Sequence, residues 1–270
     1  MSIAVADQPQ LEAALFKDAL HGQKIVVTRP QNQAAGLCER IRAIGGVPVW
    51  FPTIHIEALE DNAELDAALA KLDQFDLAIF ISSNAVACTW VRLPAGWPVA
   101  LGAAATGPGT ASALSERGVA RVIAPPAQFD SEGLIAELDR LGLTPKNVLI
   151  LKGEGGREWL ADTLRAHGAR VECVASYRRV RAETDVNIIG RLVQAKELAG
   201  VVVASSEGGD HLMEMLGAHA QVWLMEVPVF VPHARIAERM RAHGLQQVIL
   251  TSGGDSGLIA GIAAHFGKRA

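Results

Sequence analysis

At 270 residues the chain is long enough for one large domain or two modest ones, each with a core of its own. Half of it is hydrophobic and a fifth charged, the balance of a folded globular protein and not of a disordered one. A net charge of −4 offers no basic field to nucleic acid, and no apolar run approaches the roughly 18 residues of a membrane-spanning helix. The three cysteines, Cys38, Cys88 and Cys173, are scattered and out of metal-ligand spacing, which fits a reducing, cytoplasmic compartment.

Residues 1–23 carry acids and no basic leader segment, and are expected to form a poorly ordered extension. From Lys24 onward, short apolar runs alternate with helical periodicity. Strands are predicted at Lys24–Thr28, Leu77–Ser82, Val99–Ala105, Arg121–Ala124, Val148–Leu151, Val171–Val174, Val201–Ser205, Val227–Val231 and Val248–Leu250. Amphipathic stretches such as Ala34–Ile44, Arg157–His167 and Ile236–His243 lie between them. Strands apolar throughout and separated by helices predict an α/β fold of parallel sheets covered on both faces.

The chain also repeats itself. An offset of 123 residues lays Lys24–Arg29 on Asn147–Lys152, the helix stop Gly45 on Gly168, and Ile81-Ser82-Ser83 on Ala204-Ser205-Ser206. After small length changes, Gly118 falls on Gly244, and Gly133-Leu134-Ile135-Ala136 on Gly257-Leu258-Ile259-Ala260. Shared order and a nearly constant offset imply a duplicated α/β unit, and a period this long implies two domains instead of a solenoid. The extended segments Val47–Thr53 and Glu172–Val180 are the expected connections.

Open parallel sheets bind ligands beyond the carboxyl ends of their strands. There the first strand of each repeat ends in a cation, Arg29 or Lys152, and Lys152 is followed by the glycine-rich run from Gly153 to Arg157. Glycines at such a turn let backbone N–H groups face an anion at a helix N-terminus, although an ordinary capped turn has the same composition. The second strands end in Ser82-Ser83-Asn84 and Ser205-Ser206-Glu207, which can cap the next helix and also donate to a carboxylate. Thr106-Gly107-Pro108-Gly109-Thr110 opens a further helix, and its glycine spacing is wrong for a dinucleotide. Tyr177, the single tyrosine, precedes Arg178 and Arg179 at the second connection. A phenol there could protonate a departing hydroxide and the arginines could grip carboxylates; a packed boundary ring beside solvated arginines is the alternative. The histidines form no ligand set, and neither a Gly-x-Ser-x-Gly elbow nor a Walker loop is present.

Val26-Val27-Thr28-Arg29-Pro30, Phe80-Ile81-Ser82-Ser83-Asn84-Ala85-Val86, Gly107-Pro108-Gly109-Thr110-Ala111, Ser131-Glu132-Gly133-Leu134, Lys152–Arg157 and Tyr177-Arg178-Arg179 together resemble the uroporphyrinogen-III synthase family in order and spacing, from about Lys24 to Phe266. The resemblance implies two similar flavodoxin-like domains joined by a two-stranded connection, with an active-site cleft between them. One domain is then discontinuous, 24–48 plus 181–270; the other is 54–171, and 49–53 and 172–180 connect them. It implies a hydro-lyase of tetrapyrrole (haem) biosynthesis that cyclises hydroxymethylbilane, losing water from ring A through an azafulvene and inverting ring D through a spiro intermediate. Unassisted closure gives the symmetrical isomer I, so the enzyme must hold a conformation as well as assist a leaving group.

No cofactor or metal is expected for that reaction, and the partner is a linear tetrapyrrole carrying eight carboxylates. The chain is expected to act as a monomer, at most in transient contact with the enzyme preceding it, and to bind neither membrane nor nucleic acid. By the resemblance Tyr177 assists loss of the hydroxide. Arg29, Ser82, Ser83, Asn84, Gly107, Thr110, Lys152, Gly153, Ser205, Ser206 and His233 form the expected substrate set. The second repeat departs from the pattern, since Val231-Pro232-His233-Ala234-Arg235 replaces the glycine turn and Ile236 the threonine. A two-lobed binding protein for an anionic metabolite, without catalysis, is the alternative from another class.

Overall fold

The computed structural model describes residues 14–94 and 96–267 and divides into two compact units, Met1–His55 with Val180–Ala270, and Ile56–Arg179. In chain order the strands are β1 Lys24–Val27, β2 Val47–Trp50, β3 Ile54–Glu57, β4 Leu77–Phe80, β5 Gly102–Ala105, β6 Val122–Ile123, β7 Asn147–Gly153, β8 Arg170–Arg181, β9 Leu198–Val202, β10 Val229–Val231 and β11 Val248–Leu250. The α-helices are α1 Gln31–Ala43, α2 Ala63–Leu69, α3 Ser83–Arg92, α4 Pro108–Ser115, α5 Ser131–Arg140, α6 Trp159–Ala166, α7 Asn187–Gln194, α8 Ser206–Gln221 (interrupted at Gly217, whose φ of 63° is non-helical), α9 Ala234–Ala242 and α10 Gly254–Phe266.

The first sheet runs β2-β1-β9-β10-β11 with every neighbour parallel. The second runs β3-β8-β7-β4-β5-β6 and is parallel from β8 to β6. Strand pairing preserves the repeat residue for residue. Lys24 pairs with Val47 and Asn147 with Arg170; Ile25 pairs with Gly200 and Val148 with Leu77. All four pairs keep the offset of 123. At the outer strands it becomes 126, where Val229 pairs with Val248 and Ala103 with Val122. Numbered by the repeat, the first sheet reads 2-1-3-4-5, the flavodoxin order, and the second reads the same beside its additional edge strand β3. The chain enters the second unit at its third strand, so the same sheet is built there from a permuted segment.

The glycine landmarks owe their positions to helix termination. Gly45, Gly118, Gly168 and Gly244 all have φ between 82° and 89°. Each closes a Schellman pair, as where Gly45 N–H donates to Arg42 and Gly46 N–H to Ile41, or Gly168 to Arg165 and Ala169 to Leu164. A side chain is strained at that φ, so glycine recurs there.

Each sheet buries both faces. In the first, Val26, Val201 and Val231 meet α7, α8 and α9, while Ile25, Val27, Val202 and Phe230 meet α1 and α10. In the second, Ala78, Phe80, Ala103 and Leu149 meet α2, α3 and α4, and Leu77, Ile79, Val148 and Ile150 meet α5 and α6. At roughly 1.5–3 kcal/mol per fully buried large side chain, these four layers are the main favourable term in folding.

Four expectations change. Segment 49–53 is not wholly a connection, because Val49 and Trp50 belong to β2, an edge strand. An edge tolerates the missing N–H of Pro48, and its partly exposed residues lack the signature of a central strand. Segment 172–180 lies within the twelve-residue β8, whose pairing with β7 runs as far as Tyr177. Of the expected N-terminal extension, residues 1–13 lie outside the described residues, but Leu20 is buried against α1 and its N–H donates to the Ile44 carbonyl at 3.1 Å. The strand expected at Val99–Ala105 begins only at Gly102, since Val99 is 93% exposed in the preceding turn.

Candidate functional site

In the second unit, β4, β5, β7 and β8 deliver their carboxyl ends to one region. The β7–β8 register slips between Lys152 and Gly153, so that Lys152 pairs with Ala175 but Gly153 with Tyr177. This bulge carries Tyr177 onto the face occupied by Val174, against Phe80 and Leu151. The skipped Ser176 is buried and donates from Oγ to the Lys152 carbonyl at 3.3 Å.

Tyr177 is 3% exposed and its hydroxyl lies 3.0 Å from Ser82 Oγ. Ser82 is also the N-cap of α3, accepting the Ala85 N–H at 3.2 Å. That bond aims its remaining hydrogen-bonding capacity at the phenol. A β-carbon on Gly153 would stand 2.8 Å from Tyr177 Cζ and 3.1 Å from Arg179 Nη1. Only a glycine lets the ring and the guanidinium both lie on that backbone.

Around this pair is a pocket of about 250 Å³, lined among others by Thr106, Asp130, Ser131, Lys152, Gly153 and Arg157. Thr106 Oγ1 ties β5 to β4 by donating to the Ile81 carbonyl at 2.9 Å, and Asp130 caps α5 by accepting the Gly133 N–H at 2.8 Å. Sequence reasoning placed Thr106 in the turn before α4 without making it a site residue, and did not select Asp130. The signal for Asp130 was an Asp three residues before the glycine of an apolar helical run.

The cations are less available than their positions suggested. Lys152 Nζ bonds Glu158, Arg157 forks onto Glu132 at 3.0 and 3.2 Å, and Arg178 bonds Glu57 and Glu60 at 2.9 and 2.7 Å. Hydrogen bonding to Lys152, then its charge, holds the Glu158 carboxyl below the usual range. Among the expected neutral donors, Ser83 is the first residue of α3, Asn84 is buried in its first turn, and Thr110 is buried in the first turn of α4. Gly107 caps α4 at φ −168°, an extended conformation open to any residue, so its value is space and not backbone freedom.

The equivalent end of the first unit gathers Arg29, Ser205, Ser206 and His233. Arg29 donates to Asp255 at 2.6 Å, both side chains being largely buried. Ser205 repeats the role of Ser82 as a cap, accepting the Gly208 N–H at 3.0 Å. Ser206 Oγ is buried with no hydrogen-bond partner among the described residues. His233 is exposed at the N-cap of α9, the position Gly107 holds in the other unit.

Cys38, Cys88 and Cys173 are free, and burial pushes all three thiols up, so none is prepared as a nucleophile. Among the described residues no cluster of His, Cys, Asp and Glu could hold a metal, and no helix is long and apolar enough to cross a membrane.

The family model described as uroporphyrinogen-III synthase HemD matches residues 36–259. The uroporphyrinogen-III synthase of Escherichia coli (strain K12) is 31% identical over 236 residues, covering 86% of this chain and 96% of that one. Its counterpart in Salmonella typhimurium is 30% identical over 236 residues with the same coverage. Two solved structures share the parallel α/β fold. The uroporphyrinogen-III synthetase of Helicobacter pylori 26695 has a TM-score of 0.55 at 16% identity, over 90% of this chain and 99% of that one. A mutant uroporphyrinogen III synthase from the extremely thermophilic bacterium Thermus thermophilus scores 0.54 at 16% identity, over 92% and 100%. With the family pattern running through both units and relatives matched over nearly their whole length, this chain belongs to the uroporphyrinogen-III synthase family.

Proposed function

We propose that the chain catalyses the family's reaction in haem biosynthesis, as a cytoplasmic hydro-lyase that turns hydroxymethylbilane into uroporphyrinogen III. The observation that carries this reading is the match to curated synthases over 86% of the chain. The binding-protein alternative draws no support from those relatives.

The geometry supports a specific role for Tyr177. Its O–H gives a proton to the hydroxyl leaving ring A, the C–O bond breaks toward oxygen, and water departs. Ser82, fixed by its capping bond, donates to the phenolate as it forms. The ring cation then releases its nitrogen proton, the phenol is restored, and the azafulvene is ready for attack by ring D. Thr110, Ser83, Asn84 and the first N–H groups of α3 and α4 meet carboxylate arms of the substrate in the second unit, and Ser205 and Ser206 do so in the first, where His233 also touches the substrate. With Arg29 and Lys152 already paired to acids, neutral donors carry most of that recognition.

Freshly made hydroxymethylbilane, with the type I and III isomers separated after oxidation, tests the reading. The expected product is type III, and release of type I alone would refute the assignment. Tyr177→Phe is expected to lower turnover more than tenfold, at least ~1.4 kcal/mol in the barrier, while the fold survives. Near-normal turnover would reduce Tyr177 to a packing role.

A further inference from the structure

The hydroxyls, amides and N–H groups described above suit carboxylate arms; none of them suits the flat face of a pyrrole ring. At one junction in each unit, however, an aromatic residue stands beside a glycine. In the second unit Phe129, in the loop before α5, approaches Gly107, the N-cap of α4, with its Cβ: a β-carbon on Gly107 would be 3.4 Å from Phe129 Cβ, and the ring extends beyond that contact. In the first, His233, the N-cap of α9, stands beside Gly253 before α10, where a β-carbon on Gly253 would be 3.9 Å from His233 Cε1.

The two junctions are equivalent places in the repeat. Gly107 and His233 cap corresponding helices. The loops are brought into register by Gly133 and Gly257, on which a β-carbon would meet the carbonyl oxygen five residues earlier, that of Gln128 at 1.9 Å and of Ser252 at 2.1 Å. Phe129 and Gly253 each follow that carbonyl. The aromatic residue therefore comes from the loop in one unit and from the helix cap in the other, with a glycine next to it both times.

Core packing does not account for either ring. Phe129 is 52% exposed and His233 is exposed as well. Both stand beside the first turn of a helix, at the carboxyl ends of parallel strands, where ligands of such sheets bind. We propose that Phe129 and His233 are ring platforms, one in each unit, on which pyrrole faces of the substrate rest while the polar groups hold its arms. The proposal rests on the synthase reading above. Offset ring stacking makes each platform worth roughly two- to tenfold in binding.

The test uses the full chain and hydroxymethylbilane, reading KM, kcat, isomer ratio and the urea midpoint together. A wild-type chain that releases only type I overturns the synthase reading and the platforms with it. Given type III from the wild type, Phe129→Ala is expected to raise KM about two- to tenfold and to increase the type I share, with kcat and the urea midpoint held. Phe129→Trp should restore KM. His233→Phe, which keeps a ring without nitrogens, should behave as wild type where His233→Ala does not. A wild-type KM and isomer ratio in Phe129→Ala, or a defect that Phe129→Trp leaves in place, overturns the platform in the second unit. A His233→Phe variant as impaired as His233→Ala overturns it in the first. Should Phe129→Ala not fold, Phe129→Leu keeps the bulk over Gly107 without a ring face, and a wild-type KM there overturns the proposal equally.

Discussion

In the first unit the helix after β1 starts at Gln31, two residues beyond Arg29. Its counterpart after β7 starts at Trp159, seven residues beyond Lys152, although the two helices end at equivalent residues, Ala43 and Ala166. What would be the first turn and more of α6 is instead an open loop, in which Gly155 and Gly156 take φ of 68° and 91°, values no α-helix contains. The pocket beside Tyr177 lies against this loop. In the first unit the same position is helix, and Arg29 is closed onto Asp255. The two units keep registers and helix stops, but the second has a concave loop where the first has about a turn of helix. The scaffold is symmetric; the pocket beside Tyr177 belongs to the second unit.

That comparison can be broken most forcefully where the units are alike. Gly133→Ala and Gly257→Ala each drive a β-carbon into a backbone carbonyl, and each is expected to cost about 3 kcal/mol, read as the shift in urea midpoint. Unequal costs would show that one unit tolerates movement of its loop and the other does not.

The serine caps sharpen it. Ser82→Ala and Ser205→Ala each remove one capping bond, about 1 kcal/mol apiece. Only Ser82 also holds the Tyr177 hydroxyl, so Ser82→Ala should slow turnover severalfold while Ser205→Ala leaves kcat near normal. Equal effects on kcat would place the two units on the same footing in the chemistry.

The ion pair at Lys152 gives a smaller, pH-dependent difference. Because hydrogen bonding to Lys152 and then its charge depress the Glu158 carboxyl, its contribution to stability is present above the ordinary glutamate value of about 4.3 and is lost as pH falls through the folded value. Glu158→Gln should therefore lose less stability than wild type between pH 5 and pH 3, to an extent limited by the exposure of the pair. Parallel stability curves for the two proteins would contradict it.

The duplication was legible because its landmarks have local causes: a left-handed stop at Gly45 or Gly168, and a loop crossing close above Gly133 or Gly257. The serine caps were legible for the same reason, since the bond at Ser82 or Ser205 reaches only three residues along the chain. Features built by distant segments were not. Arg29 meets Asp255 across 226 residues, and nothing in the composition near Arg29 announces a partner. The bulge that turns Tyr177 inward leaves no mark in an apolar run that simply continues, and β2 reads as a linker because an edge strand carries little burial signal. Tyr177 was singled out by its chemistry and its rarity; its burial and its bond to Ser82 could not have been.

The smallest expected effect lies where the units differ in how a helix stops. After α7, Lys196 occupies the left-handed position at φ 56°, with its N–H donating to Val193 and that of Glu197 to Leu192, the same Schellman pair that glycine serves elsewhere. The counterpart helix α2 ends at Ala70 with φ −70° and uses no left-handed residue. Lysine bears a steric cost there that glycine escapes, partly offset by the greater freedom of glycine in the unfolded chain. Lys196→Gly should therefore stabilise the first unit by about 0.5–1 kcal/mol, visible as a raised urea midpoint, with turnover unchanged because α7 stops at the amino end of β9, away from the strand ends that carry the site. A lowered midpoint would mean that the Lys196 side chain contributes more than its backbone strain costs.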